Sequence, residues 1–227
     1  MTAKYITLMS SLPFLGNLFE MKQPPISQLK LESRLKLLEE KDQILLNRIA
    51  SLIAWSRQLL EQTDAHFVTE AHRFLEEVRS PTLRELVRHR LDVRTIMVAL
   101  RRRHRGENEP PAGQPWGVGQ WVNYIERHWT EPNFHLEVMF PWVSEANRLL
   151  NANDSVALER LLFGVNWKML DRVGAGHHFD FEAVVVYLNR WSLVDRWSRY
   201  NGDAAAERFR KMVDHGIEKI TDMLVEA

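Results

Sequence analysis

Hydrophobic positions along this chain recur with a helical period. Val93, Ile96, Met97 and Leu100 fall at i, i+3, i+4 and i+7 within DVRTIMVALRRRHRG, residues 92–106, a spacing that gathers side chains on one helical face and sends that face into a core. Upstream, PPISQLKLESRLKLLEEKDQILLNRIASLIAWSRQLLEQ begins after a proline pair with Ser27 placed to cap, and carries Leu45, Ile49 and Leu52 down one face. A helix unbroken from Ser27 to Glu61 would be long, so a break is expected near Glu40 to Asp42. TDAHFVTEAHRFLEEVRS predicts another helix starting near Thr63 or Asp64. Ser80 and Pro81 mark the next boundary, with Pro81 at a first helical position. The opening YITLMSSLPFL is too short an apolar run for its period to separate a strand from a buried helix.

Three prolines and four glycines in GENEPPAGQPWGVGQ, Gly106 to Gln120, interrupt this pattern and predict a linker. The expected organisation is an N-terminal helical lobe over 1–105, the linker over 106–120 and an aromatic-rich helical lobe over 121–227. In the second lobe Pro132 and Pro141 limit the first segment to short helices. Asn153 or Asp154 is placed to cap a helix carrying Val156, Leu158, Leu161 and Leu162, with Gly164 as its expected end. Phe181, Val184, Val185, Leu188 and Trp191 share a helical face despite three consecutive valines. Phe209, Val213, Ile217, Ile220 and Leu224 define a last one. The reading is all-α, as stacked short helical bundles.

Composition narrows the chemistry. Hydrophobic residues make up 45% of the 227 positions, enough for a sizeable core. Cysteine is absent, which excludes disulfides, thiolate metal ligands and a cysteine nucleophile, and fits a reducing compartment. Pro13 and Gly16 interrupt the apolar opening, so neither a signal peptide nor a membrane span is expected, and membrane contact would be peripheral.

Charge is balanced overall, with 30 basic and 30 acidic side chains, but it is segregated. From Arg79 through Arg105 nine arginines face only Glu85 and Asp92. Arg94, Arg101 and Arg105 recur at i, i+7 and i+11 on a flank of the Val93 helix, and Arg102 and Arg103 widen the charge toward its end, where cations suit the helix dipole and Gly106 suits a stop. Arg94, Arg101, Arg102, Arg103 and Arg105 are therefore the candidate partner-binding residues. An acidic protein surface, phosphates or a membrane-proximal face would all suit them. A nucleic-acid-binding or regulatory helical protein is the alternative, weakened by overall neutrality and by the lack of a helix-turn-helix, zinc or RNA-binding signature.

No catalytic pattern stands out. There is no HExxH, GxxxxGK[ST], strand-linked GxGxxG or GxSxG, so a non-enzymatic protein without cofactor is expected. His177 and His178, with Asp180 and Glu182 nearby, invite a metal reading. Adjacent histidines diverge on a helix or strand, whereas a metal needs converging ligands. The expected role of this segment is a polar loop with Asp180 as N-cap, and no metal site.

Two segments resemble known families. YITLMSSLPFL resembles the YYxLxxSLPxL-type start of a small family found with bacterial V/A-type ATP synthases. Residues 92–106 are similar to the D-x-x-N-x-x-x-x-L-R-x-K-x-x-G pattern of the C/d-type helical socket of V/A-type rotary ATPases: Asp92, Leu100, Arg101, Arg103 and Gly106 occupy matching positions, and Thr95 stands where asparagine is usual. The resemblance implies an all-helical, non-catalytic structural or assembly component of a V/A-type ATP synthase. Such a protein would contact other subunits and couple central shaft to membrane rotor, cytoplasmic or peripheral on the inner face of the membrane. The usual socket has about three helical lobes, and this length accommodates two and a shortened third.

Overall fold

The computed structural model describes residues 4–54, 65–110, 113 and 115–200. Among them every regular element is helical: α1 (Ile6–Ser11), α2 (Gln28–Leu35), α3 (Glu40–Ile53), α4 (Ala65–Glu77), α5 (Pro81–His104), α6 (Val122–Arg127), a 3-10 turn (Pro132–His135), α7 (Trp142–Asn151), α8 (Ser155–Gly174) and α9 (181–200). The all-α expectation is met. The ambiguous opening resolves as the short helix α1. The break expected near Glu40 lies slightly upstream, between the end of α2 and the start of α3. The expected start at Thr63 or Asp64 and the Phe209–Leu224 face lie outside the described residues.

The architecture is organised around α5. Its 24 residues run through the middle of the bundle, touching α3 and α4 on one side and α6, α7 and α8 on another. Every residue from Arg90 to Leu100 is buried, so this is not the two-faced helix its apolar period suggests. It is buried all round, as a helix enclosed by others must be. The cause lies in its neighbours: α3 and α4 cover one flank and the second half of the chain the other. Val93, Ile96, Met97 and Leu100 are fully in the core.

One apolar cluster includes residues from both sides of the 106–120 segment. That segment contributes to it, since Trp116 and Val118 are buried. Thr95 of α5 ties it down with a buried pair of hydrogen bonds: its Oγ1 donates to the Val118 carbonyl at 3.0 Å and accepts from the Val118 N–H at 2.9 Å. Gly117 permits the approach, because a β-carbon there would meet Thr95 Cγ2 at 2.7 Å. The proline- and glycine-rich stretch thus acts as a strap across α5.

In the second half Asp154, not Asn153, caps α8, accepting from the Ala157 N–H at 2.9 Å. Gly164 does not end that helix, which continues to Gly174. A β-carbon there would stand at ordinary contact distance, 3.9 Å, from the Phe19 ring. Asp180 caps α9, its Oδ1 accepting from the Ala183 N–H at 2.9 Å, and Val184 and Val185 are fully buried. The opening of the chain closes against α9: the Tyr5 N–H donates to the Phe179 carbonyl at 2.7 Å, Tyr187 to the Pro13 carbonyl at 2.9 Å and the Trp191 indole to the Ile26 carbonyl at 2.8 Å.

Candidate functional site

The basic cluster gathers at the C-terminal end of α5. The helix closes there in a Schellman motif: the Gly106 N–H donates to the Arg103 carbonyl at 2.8 Å and the Glu107 N–H to the Arg102 carbonyl at 3.1 Å, with Gly106 at φ +87°, a conformation that favours glycine. This turn brings Glu107 back onto the cations. Arg102 pairs with it at 2.7 Å and Arg105 at 3.3 Å, while the Glu107 carbonyl accepts from the Trp129 indole at 2.9 Å.

Arg103 reaches in another direction. It donates to the Glu131 carbonyl at 2.5 Å and lies over the Phe134 ring, 4.9 Å from its centre. Phe134 belongs to an uncommon turn in which Asn133, Phe134 and His135 all have positive φ, from 48° to 56°, costing about 1–2 kcal/mol per residue. Burial of Phe134 against Trp129, with ring centres 5.6 Å apart, offsets this. So do the Asn133 side-chain bonds to Glu137, Ser144 and Asn147 at 2.9, 3.1 and 2.9 Å. The arginines therefore serve two ends, bracing the aromatic segment and setting partly exposed positive charge at the surface.

Arg94 is a correction to the solvated flank. It is buried, with its guanidinium 4.1 Å from the centre of the Phe67 ring on α4, a cation–π contact strengthened by removal from water. The i, i+7 relation to Arg101 is real, but α4 covers the Arg94 end of that stripe. Arg101, Arg102 and Arg103 are half-buried and Arg105 is exposed.

Two further charged groups on α5 are buried. The Asp92 carboxyl is pushed up to about 7, chiefly by burial, with the nearby Trp121 indole and Arg88 opposing the shift. Arg90 is brought down to about 9 by burial and donates to the Ile53 carbonyl at 2.8 Å. Both are expensive placements, and neither was distinguishable in sequence from an exposed charge.

At the opposite end of α5 lies an open cleft of about 540 Å³, lined among others by Lys4, Asp42, Arg48, Ser80, Asp180 and Glu182. Lys4 bridges Glu39 and Asp42 at 2.6 and 2.8 Å, and Arg48 bridges Glu70 and Glu77, both at 2.6 Å. Beside the cleft, His177, Asp180 and Glu182 converge, with one potential ligand atom from each within 4.8 Å of the others. The divergence argument holds for His178, which is exposed and outside the group. It fails for His177, because the turn into α9 folds that residue back toward Asp180. The signal available in sequence was the H-x-x-D-x-E spacing at the mouth of a helix.

These features belong to a recognisable sequence family. A family model described as protein of unknown function (DUF2764) matches residues 19–220. The chain belongs to that family. No curated protein and no solved structure matches it. The family match spans the strap, the Schellman turn, the basic cluster and the His177 turn alike, so all four lie within the extent of chain that defines the family rather than in an appended segment.

Proposed function

We propose that this protein is a non-catalytic structural or assembly component of a V/A-type ATP synthase, working through protein contacts. The observation that carries the reading is the disposition of the socket-like pattern on α5. Leu100 is buried, Arg101 and Arg103 follow at the surface end, and Gly106 closes the helix. One helix thus joins a fixed core to a cationic end, as a docking element requires. The partner-facing group is Arg101, Arg102, Arg103 and Arg105; Arg94, inside the fold, is left out of it. Arg102 and Arg105 are paired with Glu107, and the group orients and selects an acidic partner surface more than it adds affinity. A peripheral position at the inner face of the membrane is compatible, and among the described residues no helix is long and apolar enough to cross a membrane.

Native affinity purification of the full chain tests the reading. Tagged wild type is expected to recover ATP synthase subunits, and Arg101→Glu with Arg105→Glu to lose them at physiological salt while keeping its helical spectrum. Recovery of no such subunit by the wild type refutes the proposal. Unchanged recovery by the charge-reversed chain refutes the role of the arginines.

A further inference from the structure

We infer that His177, Asp180 and Glu182 bind a divalent transition-metal ion, with open coordination positions facing the cleft beside α5. The three side chains are each held by their outer atom. Asp180 Oδ1 accepts from the Ala183 N–H at 2.9 Å, leaving Oδ2. Glu182 Oε1 accepts from the Ser80 hydroxyl at 2.6 Å, leaving Oε2. His177 Nε2 meets the Thr82 hydroxyl at 3.0 Å, leaving Nδ1.

One potential ligand atom from each of the three lies within 4.8 Å of the others, and His177 Nδ1 and Asp180 Oδ2 stand 2.6 Å apart in a hydrogen bond. Metal-bound histidines characteristically use one ring nitrogen for the ion and the other for a fixed outer partner, and Thr82 is placed to be that partner. Ser80 orients Glu182 in the same way. The outer partners come from the start of α5 and the ligands from the entrance to α9, so an ion would fasten these two helix ends together.

One imidazole and two carboxylates are hard-to-borderline donors that suit Zn²⁺ or Mn²⁺. Asp180 and Glu182 line the cleft, so the remaining positions are open to water or to an oxygen of an incoming group. Lys4 and Arg48 across the cleft are bridged by carboxylates and do not oppose the ion as bare charges.

Isothermal titration of tag-free, metal-stripped full chain with Zn²⁺, and separately with Mn²⁺, is the test. One ion per chain is expected for at least one of the two metals. His177→Ala and Glu182→Gln should each weaken binding at least about tenfold, and Thr82→Val about 10–100-fold, as losses of outer partners do. His178→Ala should leave the affinity unchanged. Glu182→Gln keeps an oxygen for Ser80, so its circular dichroism should match wild type and its weakening be read on a folded protein. The inference is overturned if neither metal binds one to one. It is equally overturned if His177→Ala and folded Glu182→Gln bind like wild type, which would place the ion at another site. It stands apart from the ATP synthase proposal, since titration of the isolated chain requires no partner.

Discussion

Replacing Thr95 by valine tests how the strap is held. The substitution keeps the branched shape and removes only the hydroxyl that bonds both backbone groups of Val118. Val118 is 2% exposed and Thr95 1%, so water does not reach the orphaned N–H and C=O without opening the strap. An unsatisfied buried polar group costs about 1–3 kcal/mol. Two of them, partly relieved by relaxation, give an expected loss of about 2–4 kcal/mol.

Thr95→Ser, which keeps the hydroxyl and loses one methyl, should cost only about 1 kcal/mol. For a chain of this length a loss of about 3 kcal/mol lowers Tm by roughly 6–12 °C. Chemical unfolding followed by tryptophan fluorescence reads the difference, and amide exchange at Val118 should lose its protection in the valine variant. If Thr95→Val unfolds within about 0.5 kcal/mol of wild type, or no earlier than Thr95→Ser, the hydrogen-bonded strap is not what secures this segment.

Asp92 supplies a pH signature opposite to that of a salt-bridged carboxylate. Its folded pKa is raised to about 7, so the folded chain holds a proton that the unfolded chain releases near pH 4; its contribution is present at low pH and is lost as pH rises to about 7. Asp92→Asn should remove that slope from stability measured between about pH 4 and 8, and an unaltered slope would contradict it. His89 is brought down to about 4, chiefly by burial, so its contribution is present above about pH 6.5 and is lost as pH falls toward 4; an imidazole NMR titration midpoint near the ordinary histidine value of about 6.5 would refute this. Gly106→Ala should cost about 1 kcal/mol through its positive φ alone, since a β-carbon there meets nothing within 4 Å; a neutral effect in thermal unfolding would refute it.

Sequence reading goes furthest where periodicity and caps agree. Val93, Ile96, Met97 and Leu100 enter the core, Pro81 and Gly106 bound α5, and Asp180 caps α9, because each signal acts within a turn or two of chain. It fails where the deciding partner is distant. Nothing local distinguishes Arg94 from Arg101; Phe67 on α4 buries the first, while the second stands half-buried two turns further on. Gly164 reads as a stop in isolation, yet α8 runs through it to Gly174. Among site residues, Arg101 to Arg105 are legible as a cationic helix end, but the attachment of that end to Glu107 and Phe134 is not. His177 reads as diverging from His178, whereas its true neighbours converge through a turn whose path no helix or strand period describes.

The clasp between the chain's opening and α9 has a consequence for biogenesis. Tyr187 reaches Pro13 across 174 positions, and α5 is enclosed by helices that precede and follow it in the chain. On the ribosome, α3, α4 and α5 emerge before α6, α7 and α8, which cover the other side of α5. Asp92, which lies against Gly119 and Trp121 of the later segment, remains hydrated until that segment is made, and only afterward surrenders its water. Its carboxyl keeps that face of α5 wet during this interval, at the expense of a closure that waits on long-range contacts and is correspondingly slow.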